Sequence, residues 1–234
     1  MRTLNKNKYI IVGILTVIIF SLGLLLGIVV NEYKIKYMEQ VAKEQEVEFS
    51  SLQFQYLYLD TLKDYDRCAV VSKTLENNLK TLSPILEELE RYEQDGDLKD
   101  PIYITLKRKY ILANLRYWLL AQASKQSCQN EIVTIFYFYS PECKNCPDQG
   151  FTLTHLKQIF DDRLLIYPID STFEKEPMIS ILNAKYNITQ YPTLVIEKEI
   201  HPGFMSKDEL LKEICSLYNT PQPECSEVRD TESP

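Results

Sequence analysis

Two cysteines separated by two residues, Cys143 and Cys146, have the types and spacing best suited to chemistry. They follow an apolar run of β-branched and aromatic residues, 132–139, which predicts a buried strand. Pro141 ends that strand because proline has no N–H to donate, and a helix is predicted from about Cys146 to Phe160. Cys143 is therefore expected near a helix N-terminus, where free N–H groups and the helix dipole favour the nucleophilic thiolate.

Charged residues beside the first cysteine are expected to act on it in opposite directions. Lys144 favours the Cys143 thiolate by Coulombic attraction, whereas the carboxylate of Glu142 disfavours it. We therefore expect both side chains to modulate the pKa of Cys143. Pro147 follows the second cysteine directly, which a helix tolerates only in its first turn.

The stretch YFYSPECKNC, followed after 45 residues by Tyr191-Pro192-Thr193, resembles the thioredoxin superfamily. In that family a CxxC lies at a strand-to-helix turn, and a cis-proline loop packs against it. The resemblance covers residues 131–218 and implies that the first cysteine attacks a disulfide and the second resolves the intermediate. It also implies that Tyr191, Pro192 and Thr193 form the loop that borders the substrate. A cis peptide bond costs little free energy there because the residue after it is a proline.

The elements predicted after the motif follow the order of the same family. They are a strand at 164–169, a helix at 174–186, strands at 193–197 and 199–204, and a helix at 206–218. The expected fold class is therefore mixed, α+β or α/β, with a thioredoxin-like βαβαββα domain. One departure concerns the buried acid that oxidoreductases of this family carry six residues before the first cysteine. Tyr137 stands at that position, so a proton acceptor is missing there.

Two other interpretations of the CxxC remain open. A zinc site needs about four ligands, but the sequence holds no second CxxC, and its only histidines are His155 and His201. The other interpretation is a fixed disulfide in a non-enzymatic binding or scaffold module. The sequence therefore predicts no metal and no cofactor, and it favours thiol–disulfide exchange over the inert module.

The other four cysteines are candidates for structural disulfides. Cys215 and Cys225 are ten residues apart and could clamp the last helix to the tail. Cys68 and Cys128 could join the helical region to the start of the first strand. Six cysteines allow 15 pairings, so both pairs remain candidates at this point.

The segment Tyr9 to Val30 contains 22 residues without a charge, which is long enough to cross a bilayer with some tilt. A cleaved signal peptide is the alternative, but the apolar region is long for one and no A-x-A-like site follows. We therefore expect an uncleaved single-pass anchor in the cell membrane. A short N-terminal tail before a single anchor usually stays in the cytoplasm, and long downstream domains are usually translocated. We therefore expect the N-terminus in the cytoplasm and the soluble domains outside. Cysteine-rich soluble parts also suit an oxidising compartment.

Expected partners follow from these features. Protein thiols and disulfides would be substrates, a membrane or extracytoplasmic redox partner would recycle the site, and lipid would surround the anchor. Gly23 and Gly27 form a GxxxG pair, which makes a homodimer a candidate. The formal charge of −7 gives no electrostatic support for nucleic-acid binding.

Apolar stripes at helical spacing fill the region between the anchor and the cysteine motif, and they predict a helical hairpin or a three-helix bundle. Pro84 either follows a cap that starts a new helix or kinks a continuous one. The tyrosine-rich face with Trp118 is expected to dock on the thioredoxin-like domain, and Lys107 to Lys109 to form a solvated face. The predicted division is a cytoplasmic tail (1–8), a transmembrane anchor (9–30), a helical stalk or bundle (31–127), a thioredoxin-like domain (128–219) and a mostly disordered tail (220–234).

Overall fold

The structure is a computed structural model that describes residues 6–62, 64–96, 98–128, 130–220 and 222–225. Its helices are α1 (Lys6–Thr61), α2 (Asp64–Asp95), α3 (Pro101–Cys128), α4 (Cys146–Phe160), α5 (Pro177–Lys185) and α6 (Lys207–Ser216). Its strands are β1 (Val133–Tyr139), β2 (Leu164–Asp170), β3 (Thr193–Ile196) and β4 (Glu199–Pro202). Short 3₁₀ turns lie at Asp161–Arg163 and Pro223–Cys225. The end of the predicted disordered tail, 226–234, lies outside the described residues.

The chain divides into two units, Met1–Thr61 and Leu62–Pro234. Helix α1 belongs to the first unit. Among the residues whose placement is described, no helix is both long and apolar enough to cross a membrane. The side chains at both ends of the expected anchor, 9–12 and 29–30, lie outside the described set, as do residues 1–5 of the expected cytoplasmic tail.

The sheet of the second unit has the order β2-β1-β3-β4. Strands β1 and β2 are parallel, while β3 is antiparallel to both β1 and β4. The parallel pair needs a crossover connection, and α4 supplies it. Phe136 at the centre of β1 lies opposite Tyr167 of β2 and Val195 of β3. The predicted mixed fold is confirmed for this unit.

Both faces of the sheet are covered, and side chains of β1 alternate between them. One face, the CxxC-side cluster, packs against α4 and α6. Its members include Ile135, Tyr137, Cys146, Leu153, Leu156, Phe160, Leu210, Ile214 and Tyr218. The other face, the hairpin-side cluster, packs against α3 and α5. Its members include Ile111, Leu115, Ala121, Phe136, Phe138, Tyr167, Ile179, Leu182 and Val195.

Helices α2 and α3 form a hairpin, and α3 lies directly on the sheet. The ring of Trp118 lies 5.0 Å from that of Phe136, and Tyr117 lies 6.1 Å from Tyr167, both centroid to centroid. The expected docking is therefore confirmed for Tyr117 and Trp118, whereas Tyr103 and Tyr110 pack with Leu89 of α2. Helix α2 continues through Pro84, so of the two alternatives left open at this proline the structure has the continuous helix and not a new one.

Ion pairs connect α3 to both ends of the sheet. Lys107 Nζ lies 2.6 Å from Asp170 Oδ2 at the end of β2, and Lys125 Nζ lies 2.5 Å from Glu197 Oε2 after β3. The expectation that Lys107 is solvated was wrong, because its side chain is only 14% exposed. Its apolar stem can be buried while the ammonium pairs with a carboxylate and lies 4.9 Å from the Phe173 ring centre.

Candidate functional site

The CxxC lies at the turn between β1 and α4. The N–H of Cys143 donates to the carbonyl of Ser140 at 3.1 Å, which closes the turn after the strand. Helix α4 then begins at Cys146, with Pro147 in its first turn, where a missing N–H costs least. Cys143 is partly exposed, whereas Cys146 is only 4% exposed. The two sulfurs form a disulfide, and their Cα atoms are 5.4 Å apart.

The loop before β3 lies in the same region of the fold. The Tyr191–Pro192 peptide bond is cis. The Pro192 carbonyl accepts a hydrogen bond from the Gly203 N–H at 2.8 Å, and the Thr193 hydroxyl donates to the Gln190 carbonyl at 2.8 Å. Pro192 and Thr193 are buried, while Tyr191 is partly exposed and, like Cys143, packs against the CxxC-side cluster. The structure therefore brings the predicted loop and the predicted cysteines to one core.

The charged side chains around the motif point to solvent. Glu142 and Lys144 are both exposed, and neither forms an ion pair with another described residue. Asp148, which was not among the predicted site residues, is a further exposed acid in the first turn of α4. Salt in solution screens such exposed charges, so their influence on the sulfurs is expected to depend on ionic strength.

Tyr137 is the polar side chain beneath the buried cysteine. Its hydroxyl donates to the backbone carbonyl of Cys146 at 2.5 Å. Burial raises the pKa of Tyr137 to about 12. A Cβ added at Gly150 would lie 3.7 Å from the Tyr137 ring, so the ring rests on the backbone of α4 at its glycine. From the sequence only the missing acid at this position was evident, because nothing in the sequence shows what a buried hydroxyl will contact.

Gln149 fixes the other side of α4, and no sequence pattern indicated this role. Its side chain is fully buried and makes two hydrogen bonds to the backbone of Met205: the amide donates to the carbonyl at 3.3 Å, and the carbonyl accepts from the N–H at 2.8 Å. The first turn of α4 is thereby tied to the loop between β4 and α6. Phe151 is 78% exposed next to this turn.

The remaining cysteines are paired away from the motif. Cys68 is bonded to Cys128, which joins the open ends of the α2–α3 hairpin. Cys215 is bonded to Cys225, which joins α6 to the short turn after it. No described residues form a group of three histidine, cysteine or acidic side chains that could hold a metal ion.

The far end of the sheet carries a cavity of about 600 Å³. The Lys125–Glu197 ion pair, Glu131 and Tyr218 contribute to its lining. None of the predicted site residues lines it. Its polar groups already bond one another, as Glu131 does with the N–H groups of Asn219 and Thr220 at 3.1 Å.

Comparison with known proteins gave matches only among solved structures. A scan against protein-family models found no match, and a search of curated proteins also found none. One structural neighbour is chloroplastic thioredoxin z, with 19% identity, 42% of this chain and 88% of that chain covered, and a TM-score of 0.33.

Two further neighbours are also thioredoxins. The exposed lipoprotein thioredoxin of Streptococcus pneumoniae shows 18% identity over 38% of this chain and 88% of its own, with a TM-score of 0.33. Thioredoxin O2 of Arabidopsis thaliana, in its oxidised state, shows 20% identity over 39% of this chain and 79% of its own, with a TM-score of 0.29. These three structural neighbours are thioredoxins, and each is at most 20% identical to this chain over the part that aligns.

Proposed function

We propose that this protein is a thiol–disulfide oxidoreductase that acts on protein disulfides and thiols through Cys143 and Cys146. The observation that carries the proposal is the asymmetry of the pair. One sulfur belongs to a partly exposed residue in a turn, and the other to a buried residue that starts a helix. Exchange chemistry uses this asymmetry, because the accessible sulfur meets the substrate and the buried one completes the reaction.

The exchange proceeds in two displacement steps when the dithiol form meets a substrate disulfide. The Cys143 thiolate attacks one substrate sulfur, a mixed disulfide forms, and the other substrate sulfur leaves as a thiolate. Cys146 then loses its proton and attacks the Cys143 sulfur. This closes the Cys143–Cys146 disulfide, releases the second substrate thiolate and transfers two electrons to the substrate. Oxidation of a substrate dithiol is the same sequence in reverse.

A trapping experiment tests the proposal. Cys146→Ser cannot resolve the mixed disulfide, so we expect it to accumulate in covalent complexes that dithiothreitol releases. Cys143→Ser is the matched control, because it keeps one cysteine but loses the accessible one, and we expect few complexes from it. Equal trapping by both variants would contradict the assigned roles.

A non-enzymatic binding or scaffold module is the second candidate function. The observation that favours it is Tyr137, since no described carboxylate occupies its place beneath Cys146 to accept a proton. A glutathione redox buffer separates the two functions. Exchange of the Cys143–Cys146 disulfide over the range of physiological potentials supports the enzyme, and a disulfide inert to the buffer supports the module.

We infer that the protein is held in the cell membrane by Tyr9 to Val30, with its N-terminus in the cytoplasm and its soluble part outside. The uncharged length of that segment supports an anchor. Three disulfides in the described residues support an oxidising compartment. A redox partner on the same side would recycle the CxxC, and Gly23 with Gly27 would allow pairing of two anchors.

Protease added to intact cells tests this location. We expect it to remove the part of the chain after the anchor, while a cytoplasmic control protein stays intact. Full protection of that part in intact cells, with digestion after lysis, would contradict the orientation. Extraction of the protein by alkaline carbonate would contradict the anchor.

A further inference from the structure

Tyr137 is, through its hydroxyl, a hydrogen-bond donor to the backbone of the resolving cysteine, Cys146. Its ring is 7% exposed in the CxxC-side cluster, and its hydroxyl donates to the carbonyl of Cys146, the residue whose sulfur closes the disulfide. The ring is held from two sides, by α4 at Gly150 and by Tyr139, whose ring stacks on it with centroids 5.4 Å apart. The hydroxyl is therefore positioned at Cys146 before any substrate arrives.

The buried carboxylates of the described chain are engaged elsewhere. Asp170 and Glu176 are the buried acidic side chains, and they pair with Lys107 and Arg108 of α3 at 2.6 and 3.1 Å. Burial raises the pKa of Tyr137 to about 12, so the phenol keeps its proton at neutral pH. The group beneath Cys146 is thus a hydrogen-bond donor, and it is not a base.

We propose that the Tyr137 hydroxyl serves as a hydrogen-bond donor to the Cys146 sulfur, turning from the carbonyl of that residue to its thiolate when the disulfide opens. This inference rests on the proposed oxidoreductase function and concerns the direction in which the site favours electron flow. A donor stabilises the thiolate, as hydrogen bonds to a charged group generally do. It therefore favours the reduced form of the site and makes the disulfide a better oxidant.

The step balances without a further reactant. A substrate thiolate attacks the Cys143 sulfur, a new S–S bond forms between them, and the Cys143–Cys146 bond breaks. The electron pair leaves on Cys146 as a thiolate, which accepts the Tyr137 hydrogen bond while the phenol keeps its proton. A second substrate thiolate then displaces Cys143, so the substrate becomes a disulfide and the protein becomes a dithiol.

Tyr137→Phe tests the inference, because it removes the hydroxyl and keeps the ring. At a pH above the pKa of Cys146, where its sulfur is a thiolate in the reduced protein, we expect the equilibrium of the variant with glutathione to move about tenfold toward the disulfide, which corresponds to a reduction potential lower by about 30 mV. We also expect slower opening by dithiothreitol, and a Cys146 thiol that titrates at higher pH in the reduced protein.

Tyr218→Phe is the matched control. Tyr218 lies in the same cluster, and its hydroxyl also donates to a backbone carbonyl, that of Arg163 at 2.9 Å. It should lose a comparable hydrogen bond, which thermal unfolding of both variants will show, but keep the wild-type potential. If the wild-type disulfide exchanges but Tyr137→Phe has an unchanged reduction potential, the inference is overturned and the oxidoreductase proposal is not. An equal change of potential in both variants has the same meaning. A wild-type disulfide that does not exchange overturns the oxidoreductase proposal and this inference with it.

Discussion

Lys107 of α3 and Asp170 of β2 form a largely buried ion pair, with Nζ and Oδ2 2.6 Å apart and only 14% and 5% of the two side chains exposed. The other oxygen of Asp170 accepts hydrogen bonds from the N–H and hydroxyl of Thr172. The pair connects the helical hairpin to the edge of the sheet from which the CxxC turn emerges, since the Ser171 N–H beside it donates to the Tyr139 carbonyl at 2.9 Å. The hairpin is therefore part of the framework of the site.

Removing the Lys107 charge should destabilise the fold strongly. Lys107→Met keeps most of the stem but leaves the Asp170 carboxylate buried without a cation, which costs about 3 kcal/mol in the free energy of unfolding. Urea denaturation measures the loss. Lys80→Met is the control, because its pair with Glu76 is 67% and 49% exposed and should contribute little to stability. Equal losses in the two variants would contradict the buried pair.

The stability of the protein should fall above about pH 10. Burial raises the pKa of Tyr137 to about 12 and raises those of Tyr167 and Tyr218 as well. Burial opposes protonation of Lys107, but the bond to Asp170 outweighs it, so the pKa of this lysine is also raised.

Because these groups lose protons more readily when unfolded, their contribution is complete below the unfolded pKa values, about 10. It is then lost as pH rises through the folded values. Urea midpoints between pH 8 and 11.5, followed together with tyrosinate absorbance, measure the effect. We expect phenolate to appear together with unfolding, and a flat stability across this range would contradict the burial of these tyrosines.

The two structural disulfides should contribute unequally to stability. The Cys68–Cys128 bond closes a separation of 60 residues, and Cys215–Cys225 closes one of 10. The chain-entropy relation gives about 4 kcal/mol for the longer loop and about 3 kcal/mol for the shorter. Double alanine variants of each pair, compared by urea denaturation without reductant, test the order. A larger loss from the shorter loop would show that entropy of the unfolded chain does not dominate.

Cys143 should be alkylated faster than Cys146 once the CxxC is reduced. Cys143 is partly exposed in the turn, whereas Cys146 is only 4% exposed beneath it. Short treatment with iodoacetamide followed by peptide mass mapping gives the two rates. Protein unfolded in urea is the control, and there the two cysteines should label at similar rates. Faster labelling of Cys146 in the folded protein would reverse the proposed roles.

Local sequence signals were enough to locate the strand and helix that carry the CxxC. The predicted strand, 132–139, and the observed Val133–Tyr139 differ by one residue, and the predicted helix Cys146 to Phe160 is the one observed. Helix α5 was predicted to begin at Glu174 but begins at Pro177. The sequence signal for this start is Glu176 followed by Pro177. The Glu176 side chain caps the helix by accepting a hydrogen bond from the Met178 N–H, and proline is favoured at the first helical position.

The contacts that join distant segments could not be predicted in the same way. A lysine on a helix has the same local pattern whether it faces water or Asp170, which is 63 residues further along the chain. Likewise, whether α2 continues through Pro84 depends on packing. Contacts with α3 lie on both sides of the proline, through Cys68 before it and Leu89 after it, and they can offset the hydrogen bond that the proline removes.

The disulfide at the open end of the hairpin has a consequence for the order of biosynthesis. Both Cys68 and Cys128 precede β1 in the chain, so both leave the ribosome before any strand of the sheet does. The cross-linked hairpin then presents Ile111 and Leu115 as a finished apolar surface. Strands that emerge later can pack on that surface, so that Phe136 of β1 is buried as soon as its strand forms.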